Sequence, residues 1–269
     1  MLPLQLRMAL ADPVGPIVVS YRSDHKSMTQ LPNTLEDAIV QAQAATQAAI
    51  AAGYQRLSVE LLFPELKAMP VAQQFVQAFT QYSGGLKVFF TDAGTAAWAK
   101  QHWDDAGVKF ASVDVTGQRQ TSTVEEQIED SDQLYIFVAP TAVEVGPVEK
   151  ICDAVGDRPI ILLNPRLEDV AVVGIGYAGR QLRERFLVTI EPAYYLRPLD
   201  DTIALMRNYP NPWQLWLEQQ SHWSMIAEER ERPDSERIEA LLMQAMGTSK
   251  PKSVGLLAGL GALIKALNR

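Results

Sequence analysis

The sequence predicts an α/β fold in which a parallel, Rossmann-like sheet carries helices on both faces and is extended by C-terminal antiparallel strands and a tail helix. Three observations carry this expectation. Five short runs rich in β-branched and aromatic residues recur between residues 57 and 163, and stretches of helical spacing separate them. After Asn164 the apolar runs instead follow one another across turns too short for a helix. Strands alternating with helices build parallel sheets through right-handed crossovers, whereas strands joined by short turns run antiparallel.

Residues 1–30 contain prolines at 3, 13 and 16 and no sustained period, which reads as a flexible arm. Met28 opens directly into the patterned region and is a candidate start. A single α/β domain is expected over residues 31–247. Its first helix starts at Thr34, whose hydroxyl can cap, with Asp37 on the positive end of the helix dipole. Leu35, Ala38, Ile39, Ala42, Ala45, Ala49 and Ile50 keep helical spacing, and Gly53 supplies the stop.

Strands are expected at Leu57–Phe63, Leu86–Phe90, Val108–Val115, Leu134–Val138 and Ile160–Leu163. Helical patterns fill the intervals at Val71–Phe79, Ala93–Trp103, Val124–Ile128 and Val143–Val155, which completes the alternating part, residues 31–165. Residues 166–230 are read as four antiparallel strands, Phe186–Tyr195, Thr202–Tyr209, Trp213–Leu217 and Trp223–Ala227. In the third, Trp213, Leu215 and Leu217 share one face and Gln214, Trp216 and Glu218 the other. A helix over residues 235–246 precedes a linker and amphipathic tail helix at 248–269.

Composition narrows the function. Across 269 residues, 47% are apolar and 21% charged, the balance of an ordinary folded protein. A net charge of −8 argues against nucleic acid, whose phosphates require a basic surface. Cys152 is the only cysteine, so neither a disulfide within the chain nor a multi-cysteine metal site can form. His25, His102 and His222 lack metal-ligand spacing, and no apolar run reaches the length of a membrane span. No secretory pattern opens the chain, so a cytoplasmic location is expected.

Few motifs suggest chemistry. Gly174, Gly176 and Gly179 match G-x-G-x-x-G, but they follow five strands instead of opening the sheet, and the next helix has room only for Ala178–Arg185. A tight turn therefore explains them better than a dinucleotide site. Ten arginines and no lysine lie between residues 151 and 249. Guanidinium forks pair with carboxylate or phosphate, so this half either recognises an anion or holds internal ion pairs with acids such as Glu168 and Glu191. Glu60 interrupts a central strand, where both faces are normally apolar, and an arginine or backbone partner is expected for it. Asp92 stands where a helix cap belongs, and also at the strand end where doubly wound sheets bind ligands. Neither G-x-S-x-G nor a phosphate loop occurs. No catalytic constellation and no cofactor are expected.

Four segments carry a family resemblance: LPNTLEDAIVQAQAA from Leu31, RLSVELLFPELKAMPVAQQF from Arg56, LKVFFTDAG from Leu86, and GIGYAGRQLRERFLVTIEPAYYLRPL from Gly174. Together they resemble the uncharacterised-domain family of cyanobacteria and plastids. That family includes the chloroplast low-photosystem-II-accumulation assembly proteins and a domain attached to a plastid adenylate kinase. The resemblance implies an accessory or assembly role in photosystem II biogenesis, protein partners in the assembly machinery, and a peripheral position at the thylakoid membrane. It implies no catalytic residue. Glu60, Asn164, Arg180, Arg183, Tyr194 and Tyr195 are nominated because they lie in these segments and can bind a ligand or partner. Asp92, Asn164 and Glu60 would also serve the alternative, a small-molecule enzyme or sensor holding an anionic ligand at the strand C-terminal ends.

The tail supplies a further expectation. Leu256, Leu257, Leu260, Leu263, Ile264 and Leu267 form one stripe at helical spacing, with Lys265 facing away. Residues 248–269 carry four cations and no acid, leaving −12 on the remainder. Such a segment suits reversible contact with an anionic membrane or a partner, while docking on the protein's own core is the alternative.

Overall fold

The computed structural model describes residues 30–103, 107–114, 123–168 and 177–247. The arm, the first two glycines of the G-x-G-x-x-G motif and the whole leucine-striped tail lie outside the described residues. Among those described, nine strands form one sheet in the order β3-β2-β4-β5-β1-β6-β7-β8-β9. The strands are β1 (Arg56–Leu61), β2 (Leu86–Phe90), β3 (Val108–Ser112), β4 (Leu134–Val138), β5 (Ile160–Leu163), β6 (Glu191–Pro198), β7 (Ile203–Asn208), β8 (Trp213–Gln219) and β9 (His222–Glu229). Strands β1 to β6 run parallel, and β7 to β9 continue the same sheet antiparallel.

Helices cover both faces. On one lie α1 (Leu35–Ala51), α2 (Ala68–Val76) and α3 (Ala93–His102), packed on Val59, Leu61, Val88, Phe90, Ile136 and Ile161. On the other, α4 (Val145–Ala154) and α5 (Tyr177–Arg185) bury Val148, Ile151, Leu182 and neighbouring Phe186 against Phe89, Phe137, Ile160 and Leu162. The last helix, α6 (Ser235–Ala245), sets Leu241 and Leu242 on Leu215 and Leu217. Trp216 joins the opposite core, as the alternation in β8 requires. Helix α1 begins with Thr34 Oγ1 accepting the Asp37 N–H at 3.0 Å, and ends where Gly53, at φ +92°, donates to the Ile50 carbonyl at 2.9 Å. Its buried face, Ala38, Ala42, Ala45 and Ala49, is thin enough to lie close on the sheet.

One expectation holds only in part. The strand expected at Phe186–Tyr195 begins at Glu191 and pairs antiparallel with β7 as expected, but α5 and the 3-10 turn Leu187–Thr189 first carry the chain over the sheet, so that β6 also pairs in parallel with β1. The β-branched and aromatic content of Phe186–Ile190 reads as strand because a buried helix exit and a strand share an apolar composition. Residues 166–230 therefore contain a fourth crossover helix besides β6 to β9, of which the last three have only antiparallel neighbours among the described residues. The interval from Val124 is a single 3-10 turn, Val124–Gln127, and α2 passes into a 3-10 segment, Gln77–Tyr82, kinked at Phe79.

A charged staple ties the N-terminal ends of the strands. Lys87 in β2 and Lys109 in β3 are direct neighbours in register, and like charges side by side repel. Asp132 resolves the conflict by accepting from both at 2.8 Å, while Glu129 adds contacts of 3.0 and 2.9 Å. The Asp132 side chain is 0% exposed and that of Lys87 5%. Arg158 closes the cluster from the next turn by donating to the Glu129 and Asp132 carbonyls and lying over the Tyr135 ring. Burial alone would raise the Asp132 carboxyl, but hydrogen bonds from Lys109 and Lys87 outweigh it and hold the group below its ordinary value of 3.8.

Replacing Asp132 with Ala removes the buried carboxylate shared by Lys87 and Lys109, leaves Glu129 as their remaining partner, and should cost about 3 kcal/mol in urea unfolding at neutral pH. A depressed carboxylate stabilises fully above its unfolded value and loses the contribution as pH falls through the folded one. The gap between wild type and Asp132→Ala should therefore narrow below pH 3.8.

Candidate functional site

In a doubly wound sheet, ligands bind outside strand C-termini where successive helices leave for opposite faces. Strand β1 leads to α2 on one face and its neighbour β5 leads to α5 on the other, which makes the β1–β5 boundary such a point. Asn164 occupies it. The residue takes φ +49°, donates its backbone N–H to the Val59 carbonyl at 2.7 Å, and accepts the Leu61 N–H on Oδ1 at 2.6 Å. Asparagine tolerates this left-handed conformation because its short polar side chain bonds locally. The two loops are thereby fixed at their roots. That leaving β1 (Phe63–Lys67) lines a groove on one face, and that leaving β5 (Pro165–Glu168) lines a cavity on the other.

The groove has a volume of about 830 Å³ and lies between the N-termini of α1 and α2 and the far ends of β6 and β9. Leu35, Phe63, Leu66, Val71, Leu196 and Trp223 supply apolar walls. Glu36, Glu65, Asp200 and Asp201 stand among them, with Lys67 as the single cation that the described residues bring to the lining.

The cavity is smaller, about 300 Å³, and polar at its base. Ser58 and Glu60 project from β1 on the face away from Val59 and Leu61, with Arg166, Glu168 and Arg232 around them. The Ser58 hydroxyl donates to Glu60 Oε1 at 3.3 Å. The expected ion pair is absent: among the described residues no cation lies within 4 Å of Glu60. Arg232 acts on it only through space, because its Nη2 donates to the Tyr195 hydroxyl at 2.6 Å while its guanidinium lies 4.5 Å from that ring's centroid. Burial pushes the Glu60 carboxyl above its ordinary 4.5, and Arg232 and the Ser58 hydroxyl only partly offset this.

The remaining nominated residues separate. Asp92 caps α3, accepting from the Thr95 N–H at 2.8 Å and the Thr95 hydroxyl at 2.6 Å, and those bonds lower its pKa. It lines neither concavity described. Tyr194 is fully buried and donates to Gln41 Oε1 at 3.1 Å, and Tyr195 backs Arg232 on the opposite face of β6. Arg183 pairs with Glu168 at 2.8 Å, Arg185 with Glu149 at 2.6 Å, Arg237 with Glu229 at 2.6 Å, and Arg207 with Glu191. Much of the arginine excess is thus spent on internal pairs, while Arg180 is exposed on α5. Ser58, Arg166 and Arg232 were not evident from the sequence, since nothing in their spacing connects β1 to the turns after β5 and β9.

The described residues contain no group of three His, Cys, Asp or Glu able to hold a metal, and no helix long and apolar enough to cross a membrane. Buried Cys152 has its thiol pushed up to about 12 by desolvation, which removes it as a nucleophile. The described residues thus form an open-sheet α/β fold with a concavity on each face beside β1. Residues 32–240 match the family described as Domain of unknown function (DUF1995), and the chain belongs to that family.

Glu60 supplies a sign test. A carboxyl raised in the folded state destabilises that state progressively as pH climbs from the unfolded value. Glu60→Gln keeps an acceptor for Ser58 and removes this penalty. The melting temperature of the variant relative to wild type should rise steadily above pH 4.5, and a fall over the same range would show an unseen cationic partner.

Proposed function

We propose that the protein is a non-catalytic accessory factor that receives an apolar, basic segment of a partner protein in the groove beside β1. The observation carrying this reading is the groove itself: an apolar trough at the ligand-binding edge of the sheet, rimmed by four carboxylates and one lysine. Apolar walls supply affinity and the acidic rim selects a cationic partner. The resemblance to the low-photosystem-II-accumulation proteins supports photosystem II biogenesis as the setting, with thylakoid assembly machinery as the partner. The leucine-striped tail, with four cations, has the chemistry of a second, peripheral contact with anionic thylakoid lipid from the cytoplasmic side. A second reading, a small-molecule sensor, is favoured by the arginines of the Glu60 cavity that have no carboxylate partner.

Affinity capture from solubilised thylakoid membranes tests the first reading. Wild type and Arg183→Gln should retain photosystem II assembly intermediates, whereas Trp223→Asp and Leu66→Asp should reduce capture by about tenfold while keeping a cooperative melt. Undiminished capture by both groove variants would overturn it.

A further inference from the structure

Strand β1 carries Ser58 and Glu60 at the centre of the sheet, where the neighbouring strands are apolar at matching positions of the same face, Leu162 in β5 and Phe137 in β4. Among the described residues the helical cover leaves a gap here. Helix α5 packs over β5 with Leu182 and Phe186, and α6 packs over β7 to β9, leaving β1 and the first residues of β6 between them. An uncovered strip would ordinarily be solvated and its acid screened. Here the loop Pro165–Glu168 and the residues Leu187, Ile190 and Pro192 wall it in, so that Glu60 is desolvated with one weak hydrogen bond.

The arginines at this cavity differ from those elsewhere. Arg183, Arg185, Arg207 and Arg237 each meet a carboxylate within 2.9 Å. Arg166 and Arg232 both line the cavity, and neither has a carboxylate within 4 Å among the described residues. Arg232 is nonetheless held in place, bonded to the Tyr195 hydroxyl and stacked on the rings of Tyr195 and Trp213. A guanidinium pinned on aromatic faces with N–H groups still unspent is preorganised for an oxyanion.

We propose that this cavity binds a small organic carboxylate. The carboxylate lies between Arg166 and Arg232, the carbon body rests on Leu167, Leu187 and Ile190, and a hydroxyl on the ligand donates to Glu60. A volume of about 300 Å³ stands at the lower end of ligand pockets and limits the occupant to a short-chain acid. Inorganic phosphate satisfies the arginines but not the apolar wall, and as a dianion it would face Glu60. The site lies on the face opposite the partner groove and does not depend on that reading.

The full chain is titrated by calorimetry, with ligand-observed NMR in parallel, against lactate, 2-hydroxyisovalerate and mandelate, their amides, the deoxy acid isovalerate, and inorganic phosphate. At least one hydroxy acid should bind, and its amide about tenfold more weakly. Arg166→Gln and Arg232→Gln should each weaken the acid by a similar factor, while Arg185→Gln, whose partner Glu149 lies outside the cavity lining, leaves it unchanged. Glu60→Leu, which removes the acceptor, should keep acid binding and erase the preference for hydroxy acid over deoxy acid. Should Arg232→Gln unfold, Arg166→Gln, at an exposed side chain, decides alone. The proposal is overturned if no acid binds at millimolar concentration, if acid and amide bind equally, if phosphate binds in preference, or if the arginine variants bind like wild type.

Discussion

Strand β1 is held in parallel register by β5 on one side and β6 on the other, and the Leu61–Asn164 hydrogen bond carries that ladder past the last paired residue. The geometry of the sheet's C-terminal edge depends on this seam. It fixes where the chain leaves β1 for one face and β5 for the other, and so where the groove and the cavity open. A left-handed residue is a strained choice unless its surroundings require it, and here one side chain closes a backbone ladder that no further strand residue reaches. Groove and cavity are consequences of the same divergence, seen from opposite faces.

The two ends of the parallel strands are built for different ends. At the N-terminal end, Asp132 neutralises two neighbouring lysines and Arg158 caps the cluster, so that its charges are matched to one another. At the C-terminal end, Glu60 is desolvated with one hydrogen bond and Arg232 spends itself on aromatic rings. Polar groups matched to one another specify the fold, whereas polar groups left short of partners beside a cavity are where binding energy remains to be gained.

Much of the fold was legible from local rules. The Thr34 cap, the alanine stripe of α1, the five parallel runs and the alternation Trp213, Leu215, Leu217 all follow from period and capping chemistry, and each has its expected place. The crossover before β6 was not legible, because Phe186–Ile190 is as apolar as a strand and only tertiary packing turns it into a helix exit. Lys87 within the run LKVFF gave no warning of burial, since its carboxylate lies more than forty residues away. Glu60 stood out as anomalous in an apolar strand, but its lack of a close cation depends on where Arg232 comes to rest. Asp92 and Asn164 show the limit from the other side: both sit at strand ends as ligand residues do, and both serve the backbone instead.

We propose that the protein works through the C-terminal edge of its sheet beside β1. Site-specific photo-crosslinking addresses it directly, with a benzophenone side chain placed either at Lys67 on the groove or at Asp157, exposed at the opposite edge beside Gln55. Irradiation in the presence of thylakoid membranes should yield protein adducts from position 67 and none from position 157. Adducts from position 157 alone, or equally from both, would contradict the account.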